Sequence, residues 1–310
     1  MILFLIILRR SITILLILFL SGTFFCAGQT LQFNWKKDRR EILFGAGANN
    51  FLGDLGGANQ VGTNGIRDFD FPAVRPDINI GYRYRTTKKT AVRANLIYSV
   101  LYGNDQLTDE PFRQNRNCNF RSPVVELSAQ FEYCIVRERV GKRYPWLHLK
   151  GWRYIQESTY FFTGIGLIYF NPMGQFDGKW YSLRPLSTEG EGLVPTRTKY
   201  SPVQIVIPFG LGFKFALSDN WSIGIEYGIR KTFTDYIDDV SKTYVDPDFL
   251  LDEKGQLAAY FSDPSLGYIP GQTEAGQQRG DPRDKDSFMF SFFSFYYKIP
   301  KHKSTLPKFR

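Results

Sequence analysis

Trp221-Ser222-Ile223-Gly224-Ile225-Glu226-Tyr227-Gly228-Ile229-Arg230 decides the fold. Successive side chains of a β-strand point to opposite faces, so this stretch sorts cleanly into two sets. Trp221, Ile223, Ile225, Tyr227 and Ile229 form an apolar face; Ser222, Gly224, Glu226, Gly228 and Arg230 form the other. The first face suits hydrocarbon, and the second carries small and charged groups that a bilayer rejects and a polar lumen accepts. About ten residues is also the length a tilted strand needs to cross a membrane.

Working outward from there, the same alternation recurs. Val203, Ile205, Ile207, Phe209, Leu211, Phe213 and Phe215 face out against Gln204, Gly210, Gly212 and Lys214, with Pro208 weakening the strand locally. Val125, Leu127, Ala129, Phe131, Tyr133 and Ile135 stand opposite Glu126, Ser128, Gln130 and Glu132. Ile78, Ile80, Tyr82 and Tyr84 stand opposite Asn79, Gly81, Arg83 and Arg85. Four further segments lie near 41–49, 90–101, 157–170 and 286–299. The expectation is an all-β fold: an eight-stranded antiparallel up-and-down transmembrane barrel.

A soluble antiparallel sheet alternates too, and the connections separate the two cases. Residues 86–89 and 217–220 are short turns, whereas the connections after the first, third, fifth and seventh strands are long. Short turns at one end and long loops at the other fit a barrel with periplasmic turns and long extracellular loops. The connection 137–153 is the exception, expected on the periplasmic side yet long.

Eight strands leave a bore filled by side chains. Arg83, Arg93, Glu126, Glu132, Lys214, Glu226 and Arg230 are expected inside it as a structural ion-pair network, with a proton or ion relay as the alternative. The aromatic residues are expected on the lipid-facing register, which sets aside a nucleic-acid surface despite the basic charge.

Residues 1–28 read as an export signal: an apolar start, Arg9 and Arg10, an apolar run over 11–25, and small residues Cys26 and Gly28 before cleavage at Gln29. An uncleaved anchor helix is the rival reading. Phe25 is too bulky to precede a lipoprotein cysteine. The plan is then a signal peptide (1–28), a periplasmic segment (29–40), the barrel (41–299) and a periplasmic tail (300–310), in the outer membrane. Cys118 and Cys134, placed on one extended strand, stand about 50 Å apart at ~3.3 Å per residue, too far for a disulfide.

Charge divides by side. Segments 29–40, 85–89, 137–157, 217–220 and 298–310 hold 18 basic and 4 acidic residues, whereas loops 50–74, 102–121, 171–202 and 236–285 hold 13 basic and 19 acidic, so the periplasmic rim is basic. Two readings fit this rim: attraction to the anionic lipid headgroups of the outer membrane's inner leaflet, or a docking surface for a periplasmic partner.

Catalytic parts are missing from the sequence. His148 and His302 are the only histidines, and neither can be tied to a serine and an acid, so no enzyme and no cofactor is expected. Asp235, Asp238, Asp239, Asp246 and Asp248 could bind calcium but lack EF-hand spacing, and are read as a solvated acidic loop. Gly45, Gly47, Gly53, Gly56 and Gly57 lack the ending of a phosphate loop and suit strand bends and a tight loop.

Several stretches have a specific wording: Asn50-Phe51-Leu52-Gly53-Asp54-Leu55-Gly56-Gly57; Phe170-Asn171-Pro172; Gly178-Lys179-Trp180-Tyr181; Leu183-Arg184-Pro185-Leu186; Thr188-Glu189-Gly190-Glu191-Gly192; Ile207-Pro208-Phe209-Gly210. To these add Arg230-Lys231-Thr232-Phe233-Thr234-Asp235-Tyr236-Ile237-Asp238-Asp239-Val240-Ser241 and the ending Pro307-Lys308-Phe309-Arg310. Together they resemble the PorG-like outer-membrane barrels of the Bacteroidetes type IX secretion system. The resemblance implies a non-enzymatic part of that machine, in contact with the periplasmic ring of the PorK lipoprotein and PorN. It supplies no catalytic or cofactor residues. The basic rim then gains a use: Arg137, Arg139, Lys142, Arg143, Tyr144, Trp146, Lys150, Trp152 and Arg153, with the basic tail, are the expected ring contact. The alternatives are a small porin or transporter, or an adhesin or receptor working through the long acidic loops.

Overall fold

The structure is a computed structural model that describes residues 39–56, 71–136, 157–218 and 220–299. Eight long strands make the barrel: β1 (Arg40–Leu52), β2 (Arg75–Arg85), β3 (Thr90–Asn104), β4 (Asn119–Cys134), β5 (Glu157–Phe170), β8 (Val203–Ala216), β9 (Trp221–Thr232) and β10 (Ser287–Ile299). Every pairing is antiparallel between chain neighbours, and β10 pairs with β1 from Arg40↔Ile299 to Leu52↔Ser287, closing the sheet without a free edge. Closure satisfies the backbone within the wall, which a bilayer demands because it offers no hydrogen-bonding solvent.

All eight expected strands are present, and several run further than the alternation indicated. β3 and β4 stay paired up to Asn104↔Asn119, so residues first assigned to a loop belong to the barrel wall. Pro208 sits where the β5–β8 ladder lapses, between the pairs Thr163↔Phe209 and Gly166↔Val206, because a proline has no N–H to donate. The register resumes unchanged beyond it.

The outer face is apolar all the way round. Ile42, Ile80, Leu96, Leu127, Ile165, Ile205, Ile225 and Phe293, one from each strand, are exposed large hydrophobic side chains. A continuous apolar belt of this kind is foreign to a water-facing surface and suits lipid. At the turn end the belt finishes in aromatics: Trp221 lies 4.9 Å from Tyr297 and 6.4 Å from Phe44 between ring centroids. Such girdles sit at a membrane interface, where the ring is wetted on one side. Arg39, Arg40, Lys88 and Lys89 lie just beyond, at the same end.

At the other end the loops are folded. A hairpin of β6 (Met173–Phe176) and β7 (Lys179–Ser182) extends from β5 and touches β4 through Arg121↔Met173. Helix α1 (Pro111–Arg116) starts where the Glu110 carboxylate accepts from the Arg113 N–H at 2.7 Å. It stops at Asn117, in the left-handed region. Helices α2 (Pro247–Lys254) and α3 (Gln256–Ser262) fold within the last loop, with Asp246 capping the first and Gly255 at φ +87° dividing them. Phe51, Leu55, Phe120, Tyr200, Ile237, Val240, Phe288 and Phe290 form one buried cluster joining these loops to the barrel mouth. The described loop residues are therefore a packed cap.

Leu127, 60% exposed near the middle of β4, gauges the environment of the belt. Leu127→Arg is expected to lower stability in lipid vesicles by about 2–4 kcal/mol, and Val203→Arg, near the cap end of β8, by about 1 kcal/mol or less. Denaturant titration followed by the folded-band shift on gels measures both. Equal costs at the two depths would argue against a bilayer around this face.

Candidate functional site

The lumen is built from inward positions on all eight staves. Glu41 of β1 accepts from Lys214 Nζ at 2.6 Å and Arg83 Nη1 at 2.9 Å. Arg83 Nε reaches Glu132 at 2.6 Å, and Arg93 Nε lies 3.3 Å from the other oxygen of Glu132. Arg93 also pairs with Glu226 and donates to Gln130 at 2.6 Å. Tyr160 and Tyr296 donate their hydroxyls to Glu226. The result is one chain of charge, Lys214–Glu41–Arg83–Glu132–Arg93–Glu226, with Arg230–Glu126 as a separate pair at 3.3 Å.

All seven lumen residues expected from the sequence are buried inside the barrel and paired. Sequence reasoning missed Glu41, which joins Lys214 to Arg83. The consecutive apolar residues Ile42, Leu43 and Phe44 blur the alternation of β1, and Leu43 is itself fully buried. Inward parity of position 41 against Ile42 and Phe44 was the available signal.

One expectation is corrected. The aromatics are not confined to the lipid side: Tyr160, Phe162, Phe170, Phe288, Phe290, Phe292 and Tyr296 are all buried. For Tyr160, Phe162, Phe292 and Tyr296 inward glycines on other strands leave the space. A Cβ on Gly212 would stand 2.3 Å from the Tyr160 ring, and one on Gly210 or Gly228 would stand 2.6–2.7 Å from Phe162. The rings then flank the cations, with Arg230 4.7 Å from the Phe290 centroid and Lys214 Nζ 4.8 Å from that of Tyr296.

The acidic loop is corrected too. Asp246 and Asp248 are exposed at the start of α2, but Asp235, Asp238 and Asp239 are buried in the cap. Asp238 accepts from the Leu55 N–H at 3.1 Å, and Asp286 from the Ile237 N–H at 2.9 Å. Asp239 accepts from the Thr188 and Tyr200 hydroxyls, while Asp235 takes that of Ser241 at 2.7 Å. Glu189 accepts from the Ser241 N–H at 2.8 Å and from Arg279 at 3.1 Å. Arg116, clamped on Asp105, reaches the Asp54 and Arg279 carbonyls at 2.7 and 2.8 Å. Among the described residues no group of three or more His, Cys, Asp or Glu side chains is arranged to hold a metal ion.

Cys118 and Cys134 are free and buried, the first immediately before β4 and the second its last residue. The nine expected docking residues, Arg137, Arg139, Lys142, Arg143, Tyr144, Trp146, Lys150, Trp152 and Arg153, lie outside the described residues, as do His148 and His302.

Taken together, wall, belt and lumen define the class: a closed eight-stranded antiparallel barrel of the outer-membrane type, its bore filled and one mouth capped. Residues 29–140, which include β1–β4, match a family model described as a domain of unknown function (DUF6089). No curated protein matches the chain's sequence. Among solved structures it is similar to the attachment invasion locus protein Ail of Yersinia pestis, crystallised with the heparin analogue sucrose octasulfate. That match has 9% identity, 85% of this chain and 99% of that one covered, and a TM-score of 0.37. Neisserial surface protein A (9%, 84% and 97%, 0.36) and OprG of Pseudomonas aeruginosa (8%, 86% and 98%, 0.35) are similar to the same degree.

Arg93 answers two buried carboxylates, so Arg93→Met should cost about 3–5 kcal/mol. The double variant Arg93→Met/Glu226→Met should cost less than Arg93→Met alone, because one uncompensated carboxylate has gone with its partner. A double-mutant cycle in detergent measures the difference.

Burial raises the cap carboxyls: Asp54 to about 6 despite Arg116, Asp235 to about 7, Asp239 to about 6 despite Arg279, and Glu191 to about 8. In an open chain these groups ionise near 4. The folded cap thus holds more protons, and its stability falls as pH rises from about 4 through about 8. Limited proteolysis within residues 236–285 should be slower at pH 5 than at pH 8.5, after correction for protease activity. Equal or better protection at pH 8.5 would contradict the assignment.

Proposed function

We propose that this protein is a non-enzymatic outer-membrane component of a type IX protein secretion system, docking a periplasmic PorK/PorN-type ring to the membrane. In this reading the cap faces outward, and both chain ends and the short turns face the periplasm. One observation carries it. The stretches that resemble the PorG-like barrels are not scattered: residues 50–56, 188–192 and 230–241 interlock in the cap through Leu55–Asp238, Thr188–Asp239 and Ser241–Glu189. That the stretches carrying the resemblance meet in three dimensions supports the reading beyond the alternation that any barrel has.

The filled lumen favours this reading over a porin. Glu41, Arg83, Arg93, Glu132, Lys214 and Glu226 are buried and occupied with one another across the bore, which leaves the ends of the barrel as working surfaces. At the periplasmic end the basic connection 137–153 and the tail 300–310 are the proposed ring contact.

The test is crosslinking in intact cells from a photoreactive amino acid at position 146. Capture of a ring protein is the expected outcome. Capture of lipid alone, with a folded barrel and the ring present, would overturn the docking surface.

A further inference from the structure

On the outer wall at the cap end, a cavity of about 550 Å³ opens over β2, β3 and β4 and is overhung by β7. Two arginines border it, each stacked on an aromatic ring. Arg75 Cζ lies 3.9 Å from the Tyr102 centroid, and Arg121 Cζ lies 4.3 Å from that of Trp180. Tyr102 and Arg121 are direct cross-strand partners, so Arg75, Tyr102, Arg121 and Trp180 follow one another along the wall. Stacking fixes the planes of both guanidiniums and leaves their edges as donors.

Neither guanidinium meets a carboxylate among the described residues. Arg75 spends Nη1 on the carbonyls of Pro72 and Val74 at 2.9 and 2.8 Å, and the buried Nε of Arg121 has no hydrogen-bond partner. Asp77 also borders the cavity, but its carboxylate lies inside the wall, where a Cβ on the inward Gly47 would stand 2.5 Å from its Oδ1. The lower border is Ile78 and Tyr98, both half exposed within the lipid-facing belt. Two uncompensated planar cations therefore stand directly above hydrocarbon-facing side chains.

We propose that this is a binding site for a phosphorylated membrane lipid, with its headgroup phosphate between Arg75 and Arg121 and its acyl chains along Ile78 and Tyr98. Guanidinium forks match phosphate oxygens, and the height of the site at the edge of the belt is where headgroups lie. Under the orientation proposed above, that leaflet is the outer one, and the occupant is a phosphorylated, multiply acylated glycolipid. The site makes no use of the ring contact, so it stands or falls separately from the secretion role.

The test uses the purified full-length mature protein in detergent, titrated with diphosphoryl lipid A, with the same lipid after removal of its phosphates, and with inorganic phosphate. Wild type should bind the phosphorylated lipid at least about tenfold more tightly than the dephosphorylated one, and Arg75→Gln or Arg121→Gln should each weaken binding about tenfold. Inorganic phosphate should compete only weakly. Unchanged affinity in both variants, no dependence on the lipid phosphates, or inorganic phosphate binding as tightly as the lipid would each overturn the site. Folding of the variants is checked by the heat-dependent gel shift. Should Arg121→Gln unfold, Arg75→Gln and the phosphate dependence decide the matter.

Discussion

Everything inside this barrel depends on a chain of charges that has no water to fall back on. Eight strands enclose a bore that side chains fill, so an inward carboxylate or guanidinium must find its counter-charge in the protein or bear the full cost of desolvation. Glu41, Arg83, Arg93, Glu132, Lys214 and Glu226 come from β1, β2, β3, β4, β8 and β9, and they are linked in the order Lys214–Glu41–Arg83–Glu132–Arg93–Glu226. The same chain fixes the register. Slipping any of these strands by one residue would turn its charge into lipid and an apolar side chain into the lumen. Closure of the sheet supplies the wall, and the ion pairs choose which closed sheet forms.

Size matching completes the interior. Tyr160, Phe162 and Tyr296 are too large for a lumen walled evenly, and glycines on β8 and β9 give way where these rings press. The rings in turn exclude water and lie against the cations, which strengthens the pairing around them. Neither half works alone: without the rings the charges would be hydrated, and without the glycines the rings would not fit.

Most of the wall was legible in the sequence because period-two alternation is a local property, cleanest on β2, β4, β8 and β9. The seven charged lumen residues were legible for the same reason, since parity places each one inward. What failed were features set by non-local contacts. β10 carries aromatics on both faces, so its alternation gives no sign that Phe288, Phe290 and Phe292 point inward, the last two opposite Gly228 and Gly47. Asp235, Asp238 and Asp239 read as a solvated loop because aspartates usually are. Their hydrogen bonds come from donors at 55, 188, 200, 240 and 241, three of them far away in the chain. The β6–β7 hairpin has strands of four residues each, too short for alternation to register.

The lumen and the cap are mechanically continuous, and the stretch 230–241 is what joins them. Arg230 begins it inside the bore, paired with Glu126 and lying over Phe290. Thr232 then donates its hydroxyl to the Asp286 carbonyl at 2.7 Å, and the Asp286 carboxylate takes the Ile237 N–H, so the two ends of the last loop are tied where they leave the barrel. Asp238 reaches across to Leu55 and Ser241 to Glu189, carrying the tie to the loops after β1 and β5. A residue in this stretch is therefore constrained from below by the charge chain and from above by the buried carboxyls. Substitution there disturbs both, whereas among the described residues no comparable tie runs from the turn end to the cap.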